Sequence, residues 1–330
     1  MNTQPLVSVL TPVYNGERHL VECIDSVLAQ TYERWEYIIV DNCSTDRSRE
    51  IAERYAEKDS RIRVHANDTF VNVIRNHNIA FRQMSPDSAY CKVVQADDWI
   101  FPECLERMVA VAEAHPTVGI VGAYRLDATR VGCDGLPYPS PITPGREHCR
   151  ATLLGGPGVF GSPTSVLFRA DLVRSRETFF DESDIHADTA ACFDVLQSSD
   201  LGFVHQVLTF TRRPEDSQTS LEEERNSYLP GALRQLARFG PVYLTESERA
   251  LVATTVLREY YRFLARSLIE GRGREFWAYH RQELESLGYG FSWMRVLRMA
   301  LGYVPKALSR PGDVKRLVGR LGRRGRGHAS

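Results

Sequence analysis

Residues 6–28 read LVSVLTPVYNGERHLVECIDSVL, and this stretch decides the architecture. Its opening run, 6–13, is apolar apart from Ser8, Thr11 and Pro12, the pattern of a strand buried on both faces of a parallel sheet. The run stops at Tyr14-Asn15-Gly16, a turn signal. Leu20, Cys23, Ile24, Val27 and Leu28 then recur at i, i+3, i+4, i+7 and i+8, a stripe that only a helix places on one face.

The same strand-then-helix unit repeats outward. Residues 35–40 read as a second strand, Ser44-Thr45-Asp46 as a capped helix start, and Ile51 and Tyr55 as that helix's inner face. A short third strand over 61–65 and a helix over 71–84 lead to a fourth strand, 90–95, which ends in Ala96-Asp97-Asp98. Pro102 opens a helix whose buried stripe is Leu105, Met108, Val109 and Ala112, and 118–124 returns as a strand. Such alternation predicts an α/β fold with a mainly parallel sheet covered on both faces. Four prolines between 132 and 145 (Pro137, Pro139, Pro141 and Pro144) predict a long surface loop. Strands over 165–169 and 203–211 flank a helix over 188–197, and from about residue 217 the chain reads as helices, among them 249–269 and 275–287. The expected division is an α/β domain over 1–219, a helical extension over 220–308 and a basic, disordered tail over 309–330, where Arg and Gly alternate at 322–327 and no core can form.

Composition narrows the function. At 330 residues, 43% hydrophobic and 25% charged, the chain is long enough for a large core and is neither fibrous nor wholly disordered. Its seven cysteines are odd in number and scattered, with no C-x-x-C pair and no clustered histidines, so neither a disulfide framework nor a zinc site is expected, and a reducing compartment is. The first six residues lack a secretory pattern, and no run approaches the roughly 20 apolar residues of a spanning helix. A cytoplasmic protein is expected. The net charge of −1 conceals an asymmetry: residues 295–330 hold ten Lys/Arg against Asp313 alone, about +9, so the remainder carries about −10.

Ligands of open parallel sheets sit where strand carboxyl ends converge, so the strand ends are where chemistry is sought. They deliver Thr11-Pro12-Val13-Tyr14-Asn15, Asp41-Asn42 and Gln95-Ala96-Asp97-Asp98 to one edge. Adjacent carboxylates after a buried strand repel one another unless a cation neutralises them, and Mg²⁺ or Mn²⁺ held by one or two carboxylates and phosphate oxygens does so. The plainer alternative is that Asp97-Asp98 caps the helix opened by Pro102 and that Asp41 is a turn residue. There is no G-x-G-x-x-G after the first strand and no P-loop anywhere, which counts against dinucleotide enzymes and P-loop NTPases.

Val7 to Asn15, Val40-Asp41-Asn42-Cys43-Ser44-Thr45-Asp46 and Ala96-Asp97-Asp98-Trp99 with Pro102 together resemble, in order and spacing, the inverting GT-A glycosyltransferases of family 2. The resemblance covers roughly 6–219 and is strongest before Tyr124. It implies the GT-A fold, with a Rossmann-like central sheet, and transfer of a sugar from a UDP-, GDP- or dTDP-linked donor to an acceptor hydroxyl, with Mn²⁺ or Mg²⁺ as cofactor. It further implies that Thr11, Pro12, Tyr14, Asn15, Asp41, Arg75 and Asp97 contact the nucleotide, and that Asp98 and Asp97 hold the metal. Gln95 stands where the family usually has an acid. Downstream, Ser162-Pro163-Thr164-Ser165, Phe179-Phe180-Asp181-Glu182 and His186-Ala187-Asp188 are similar to the family's second half, where an acid opens a helix beneath the acceptor. Asp188 is the implied base, with a helix N-cap as its alternative role, and Asp184 the substitute. Arg212 or Arg213 would face the leaving diphosphate. No Gln-x-x-Arg-Trp element occurs, which favours single addition over polymer synthesis. The rival readings are an inactive scaffold, for which Gln95 and His186 speak, and a sugar nucleotidyltransferase, which needs a glycine-rich loop that 12–18 does not provide.

The basic end carries two apolar stripes, Met294, Leu297, Leu301, Val304 and Leu308, then Val314, Leu317, Val318 and Leu321. They fit either an anionic membrane surface, and with it a lipid-linked acceptor, or packing on the catalytic domain. Nucleic acid is not an expected partner, since no recognition motif accompanies the charge.

Overall fold

The first strand, β1 (Val7–Val13), is buried along its whole length, as its largely apolar run leads one to expect. The computed structural model describes residues 4–212 and 227–302. Arg213, Val304, Leu308 and the 309–330 tail, with its second apolar stripe, lie outside the described residues. The chain divides into two units, Met1–Ser220 and Leu221–Ser330.

The first unit continues α1 (Leu20–Leu28), β2 (Trp35–Asp41), α2 (Ser48–Ala56), β3 (Ile62–Ala66), α3 (Val73–Arg82), β4 (Tyr90–Val93), β5 (Trp99–Ile100), α4 (Cys104–Ala114) and β6 (Val118–Asp127). It ends with β7 (Arg130–Gly132), β8 (Ile142–Thr143), α5 (Gly145–Leu153), β9 (Val166–Arg169), α6 (Ala170–Arg174), α7 (Ala187–Val195) and β10 (Asp200–Thr211). The sheet runs β3-β2-β1-β4-β9-β6-β10-β5. Pairing is parallel from β3 through β4 and again between β6 and β10, while β9 runs antiparallel between these blocks. One helix lies in the chain between each successive pair of β1 to β4, the crossover connection that parallel pairing needs. Leu20, Cys23, Ile24 and Val27 of α1 are buried in the same core as Val7, Val9 and Val13 of β1, together with Leu105, Met108 and Val109 of α4. Removing one of these large side chains leaves a cavity that costs about 2–5 kcal/mol.

Two local features depart from expectation. Residues 132–145 are less open than their prolines imply, because β8 adds to β10 and Pro144 leads directly into α5. Gly145 starts that helix because nothing larger fits: a Cβ there would lie 2.0 Å from the Ser199 carbonyl oxygen. The second is Lys92, fully buried in β4 and donating to the carbonyls of Thr164 and Val166, so its amino group braces β4 against the segment leading into β9.

The second unit holds α8 (Tyr228–Tyr243), α9 (Glu246–Glu270), α10 (Arg274–Ser286) and α11 (Trp293–Leu301). Thr245 caps α9 through a reciprocal pair with Glu248, and Gly271 closes it at φ 75°, a left-handed conformation that suits glycine. Leu233, Tyr260, Tyr261, Leu264, Leu284 and Val296 form its core. No helix among the described residues is long and apolar enough to cross a membrane.

Candidate active site

Parallel register brings the strand ends together. Val13 at the end of β1 pairs with Asp41 at the end of β2, and Leu10 of β1 pairs with Val93 at the end of β4. The β4 segment then runs on through Gln95 to Asp98, so all three sequence motifs share one sheet edge.

Beyond β1 the backbone turns through Asn15, and beyond β2 through Cys43, both with positive φ (51° and 59°). Non-glycine residues held there cost of order 1 kcal/mol or more and mark over-determined turns. The two turns are laced together. Asn15 N–H donates to Ser44 Oγ (3.0 Å), its Oδ1 accepts from Thr45 N–H (2.8 Å), and Gly16 N–H donates to Ser48 Oγ (2.7 Å). Asp41 is buried and accepts from Ser44 N–H through both oxygens at 3.3 Å. Tyr14 projects into solvent and packs edge-on against Phe70 at 4.8 Å, which leaves its ring accessible on the edge.

The double acid is split by its surroundings. Asp98 is 3% exposed; its Oδ2 accepts from Thr164 Oγ1 (2.6 Å) and its Oδ1 from the Arg212 backbone N–H (3.0 Å). Burial, reinforced by the neighbouring Asp97 charge, pushes its pKa up to about 7. Asp97 is half-buried, takes no hydrogen bond from another side chain among the described residues, and is also raised by burial. Arg212 closes over the pair: its Nε donates to the Asp97 carbonyl (3.1 Å), its Nη2 to Glu22 (2.6 Å), and its guanidinium lies 5.2 Å from the Trp99 ring. Trp99 itself stacks on Phe210 at 3.5 Å, tying β5 to β10. His19 completes this edge with a pKa lowered by burial and then by the Arg212 charge.

These groups fit a divalent cation. Two carboxylates whose charges burial disfavours are relieved by one, and the freer Asp97 is the oxygen donor best placed to meet it. Among the described residues no three His, Cys, Asp or Glu side chains gather as a complete protein cage, so the other oxygens would come from phosphate and water, as Mg²⁺ and Mn²⁺ accept.

Asp188 lies in the first turn of α7, where a helix N-terminus favours negative charge, and its Oδ1 accepts from Thr189 N–H (2.7 Å). Burial raises its pKa, opposed by that N–H and by nearby His186 and His77. Asp184 is buried and accepts from His186 N–H (3.0 Å), which occupies it in shaping the turn before α7.

Not every expected residue reaches the edge. Thr11 is fully buried, with Oγ1 bonded to Tyr37 OH (2.9 Å) and to the Val94 carbonyl (2.8 Å). Its hydroxyl thus braces β1 against β2 and β4. Pro12 is likewise buried in β1, and the Asn15 side-chain oxygen is engaged by Thr45. Arg75 is exposed, and its guanidinium pairs with no carboxylate among the described residues. Its neighbour Asn76 instead joins Asn42 and Asn67 in a buried amide network beneath the second turn. Motif reading passed over His19, Glu22 and Thr164 as working parts, although Thr164 lies inside the quoted Ser162–Ser165 stretch. It also missed His77, whose Nδ1 binds the Val73 carbonyl (2.8 Å) and whose buried ring faces the Gln95 side chain.

The profile of Glycosyl transferase family 2 matches residues 8–174, which contain β1 to β9 and every one of the three strand-end motifs. The chain belongs to glycosyl transferase family 2. EpsE of Bacillus subtilis (strain 168) is 35% identical to this family 2 chain over 161 residues, 47% of this chain and 57% of EpsE. Glycosyltransferase GlyG of Streptococcus pneumoniae serotype 4 is 30% identical over 119 residues, 36% of this chain and 39% of GlyG. The chain thus spans little more than half the length of the curated relatives it matches, or less. In fold it is similar to Staphylococcus aureus TarS 1-349, solved in complex with UDP-GlcNAc, with a TM-score of 0.63 at 17% identity, covering 90% of this chain and 88% of that one. It is also similar to the mannosyltransferase PcManGT of Pyrobaculum calidifontis, solved with GDP-Man and Mn²⁺, with a TM-score of 0.56 at 16% identity over 96% and 84% of the two chains. The fold is GT-A, with the C-terminal helices of the second unit added to it.

Proposed function

We propose that this family 2 chain transfers one sugar at a time from a nucleoside-diphosphate sugar to an acceptor hydroxyl, with inversion at the anomeric carbon. The observation that supports it best is the shared sheet edge. An accessible aromatic (Tyr14), a buried acid (Asp41) and an accessible acid (Asp97), itself seated on a fixed one (Asp98), form a site for a base, a ribose and a pyrophosphate in sequence. TarS and PcManGT, solved with UDP-GlcNAc and with GDP-Man and Mn²⁺, support a donor of this class.

In this reading Tyr14 covers the base, Asp41 accepts from it, and Arg75 supplies an exposed cation for base or phosphate. Asp97 holds the divalent ion and Asp98 holds Asp97's loop in place through Thr164 and Arg212. A bound Mn²⁺ or Mg²⁺ supplies Lewis-acid neutralisation of the departing diphosphate. Asp188 accepts the proton of the acceptor hydroxyl as that oxygen bonds to the anomeric carbon, while the bond from that carbon to the diphosphate oxygen breaks. One displacement inverts the centre and needs no covalent enzyme intermediate. The raised pKa of Asp188 suits a base, since a carboxylate closer to the working pH takes a proton more readily.

The test is a panel of UDP-, GDP- and dTDP-sugars, each read for hydrolysis and transfer with and without Mn²⁺ or Mg²⁺. Turnover of one donor that requires the metal and is lost in Asp188→Asn supports the reading. Absence of calorimetric binding of UDP, GDP and dTDP, with Mn²⁺ present, would sink it in favour of an inactive scaffold.

A further inference from the structure

The last described helix, α11, carries an apolar face that none of the described residues of the second unit covers. Its inner side packs through Val296, which is fully buried in the helical core, with Met299 partly buried against it. Beside that side lies a second apolar one: Trp293, Leu297, Leu301 and Met294 are 40%, 53%, 70% and 80% exposed. At 3.6 residues per turn these four fall within an arc of about 100°, a continuous strip along the helix. An exposed strip of this kind marks a binding surface rather than a solvated helix.

Its border says what it binds. Arg298 and Arg295 follow the strip around the helix, both exposed. On the other flank a groove of about 750 Å³ between α10 and α11 has Arg274, Arg281, Trp277 and Trp293 in its lining, two arginines against the single acid Glu285, with the two indoles 4.7 Å apart. Large apolar side chains on one face, arginines at its margins and tryptophans between the two are the chemistry of a helix lying in the headgroup region of a bilayer. The sequence that follows adds charge of the same sign, since 303–330 holds eight Lys/Arg against Asp313 alone. A second protein copy would bring its own arginines against these; an anionic lipid surface complements them.

We propose that the Trp293–Leu301 helix docks the chain on a lipid bilayer carrying anionic headgroups, with Met294, Leu297 and Leu301 inserted among the acyl chains. This inference stands apart from the proposed sugar transfer and places any acceptor drawn from lipid beside the enzyme.

The experiment is co-sedimentation of the full chain with vesicles of phosphatidylcholine alone or with about 30 mol% phosphatidylglycerol, at about 0.1 M salt. The wild type pellets with the anionic vesicles and not with the neutral ones. The triple variant Met294→Ser, Leu297→Ser, Leu301→Ser partitions at least about tenfold less, because three apolar side chains no longer leave water. Its melting temperature stays unchanged, since these side chains are already exposed in the folded state. Arg295→Gln with Arg298→Gln lowers partition several-fold at low salt only. Three results overturn the proposal: wild type left in the supernatant, a triple variant that pellets like wild type (binding by the basic tail's charge alone), or a wild-type dimer that the triple variant dissolves (docking of a second copy). Donor hydrolysis measured without vesicles remains at the wild-type rate in all variants, so loss of membrane binding and failure of the transferase reading are told apart.

Discussion

Asp98→Asn is the substitution that tests the site's electrostatics most directly. Asp98 has a folded-state pKa of about 7, against 3.8 unperturbed, because burial and then the Asp97 charge disfavour its ionised form. An acid whose pKa is raised on folding contributes stability that is fully present below its unfolded pKa and is lost as pH rises through the folded value. The window is therefore pH 4 to 7, and above it holding the carboxylate ionised costs on the order of 4 kcal/mol, at 1.36 kcal/mol per pKa unit. Asparagine avoids that cost with the same shape. Its Oδ1 still accepts from Arg212 N–H, and Thr164, whose hydroxyl rotates, accepts from Nδ2. The variant should match wild type in melting temperature near pH 4 and exceed it at pH 8 by about 10 °C, scaled from roughly 2–4 °C per kcal/mol for a unit of this size. Differential scanning calorimetry of the metal-free chain across that range reads the difference. A gap that is the same at every pH, or that favours wild type at pH 8, would refute the electrostatic account of Asp98.

Three further outcomes follow from the geometry. Asp97→Asn should lose metal-dependent nucleotide binding in calorimetry while melting within about 2 °C of wild type, since its carboxylate takes no hydrogen bond from another side chain among the described residues. Asp188→Asn should lower transfer about 10²- to 10⁴-fold and leave UDP or GDP affinity within a factor of about two, as removal of a general base does; unchanged turnover would assign the base elsewhere. Gly145→Ala should destabilise the first unit by about 3 kcal/mol or more in urea titration, because the added methyl would lie 2.0 Å from the Ser199 carbonyl oxygen and 2.6 Å from that of Leu196.

Much of the fold is legible in the chain because its strands are buried on both faces. A strand such as 7–13 that is apolar on both faces at most positions, followed by a helix apolar on one stripe, has few alternatives, and β1, α1, β2 and α4 lie where periodicity puts them. The short pieces were hidden: β5 is two residues long, β8 is two, and α5 begins at a glycine chosen by a neighbour in space. No local pattern announces an element whose stabilising contacts come from β10 or α7.

The sequence alone established that three strand ends carry Tyr14, Asp41 and the Asp97-Asp98 pair, since residue type and the order of strand and helix are local properties. Tertiary structure decided which of their side chains are engaged internally. Thr11 and Asp98 occur in the same motifs as Tyr14 and Asp97, yet the first pair is spent on internal hydrogen bonds to Val94, Tyr37, Thr164 and Arg212. Those partners are 26 to 114 positions away along the chain, and burial, which raises the Asp98 pKa, is a property of the assembled core rather than of any stretch of sequence.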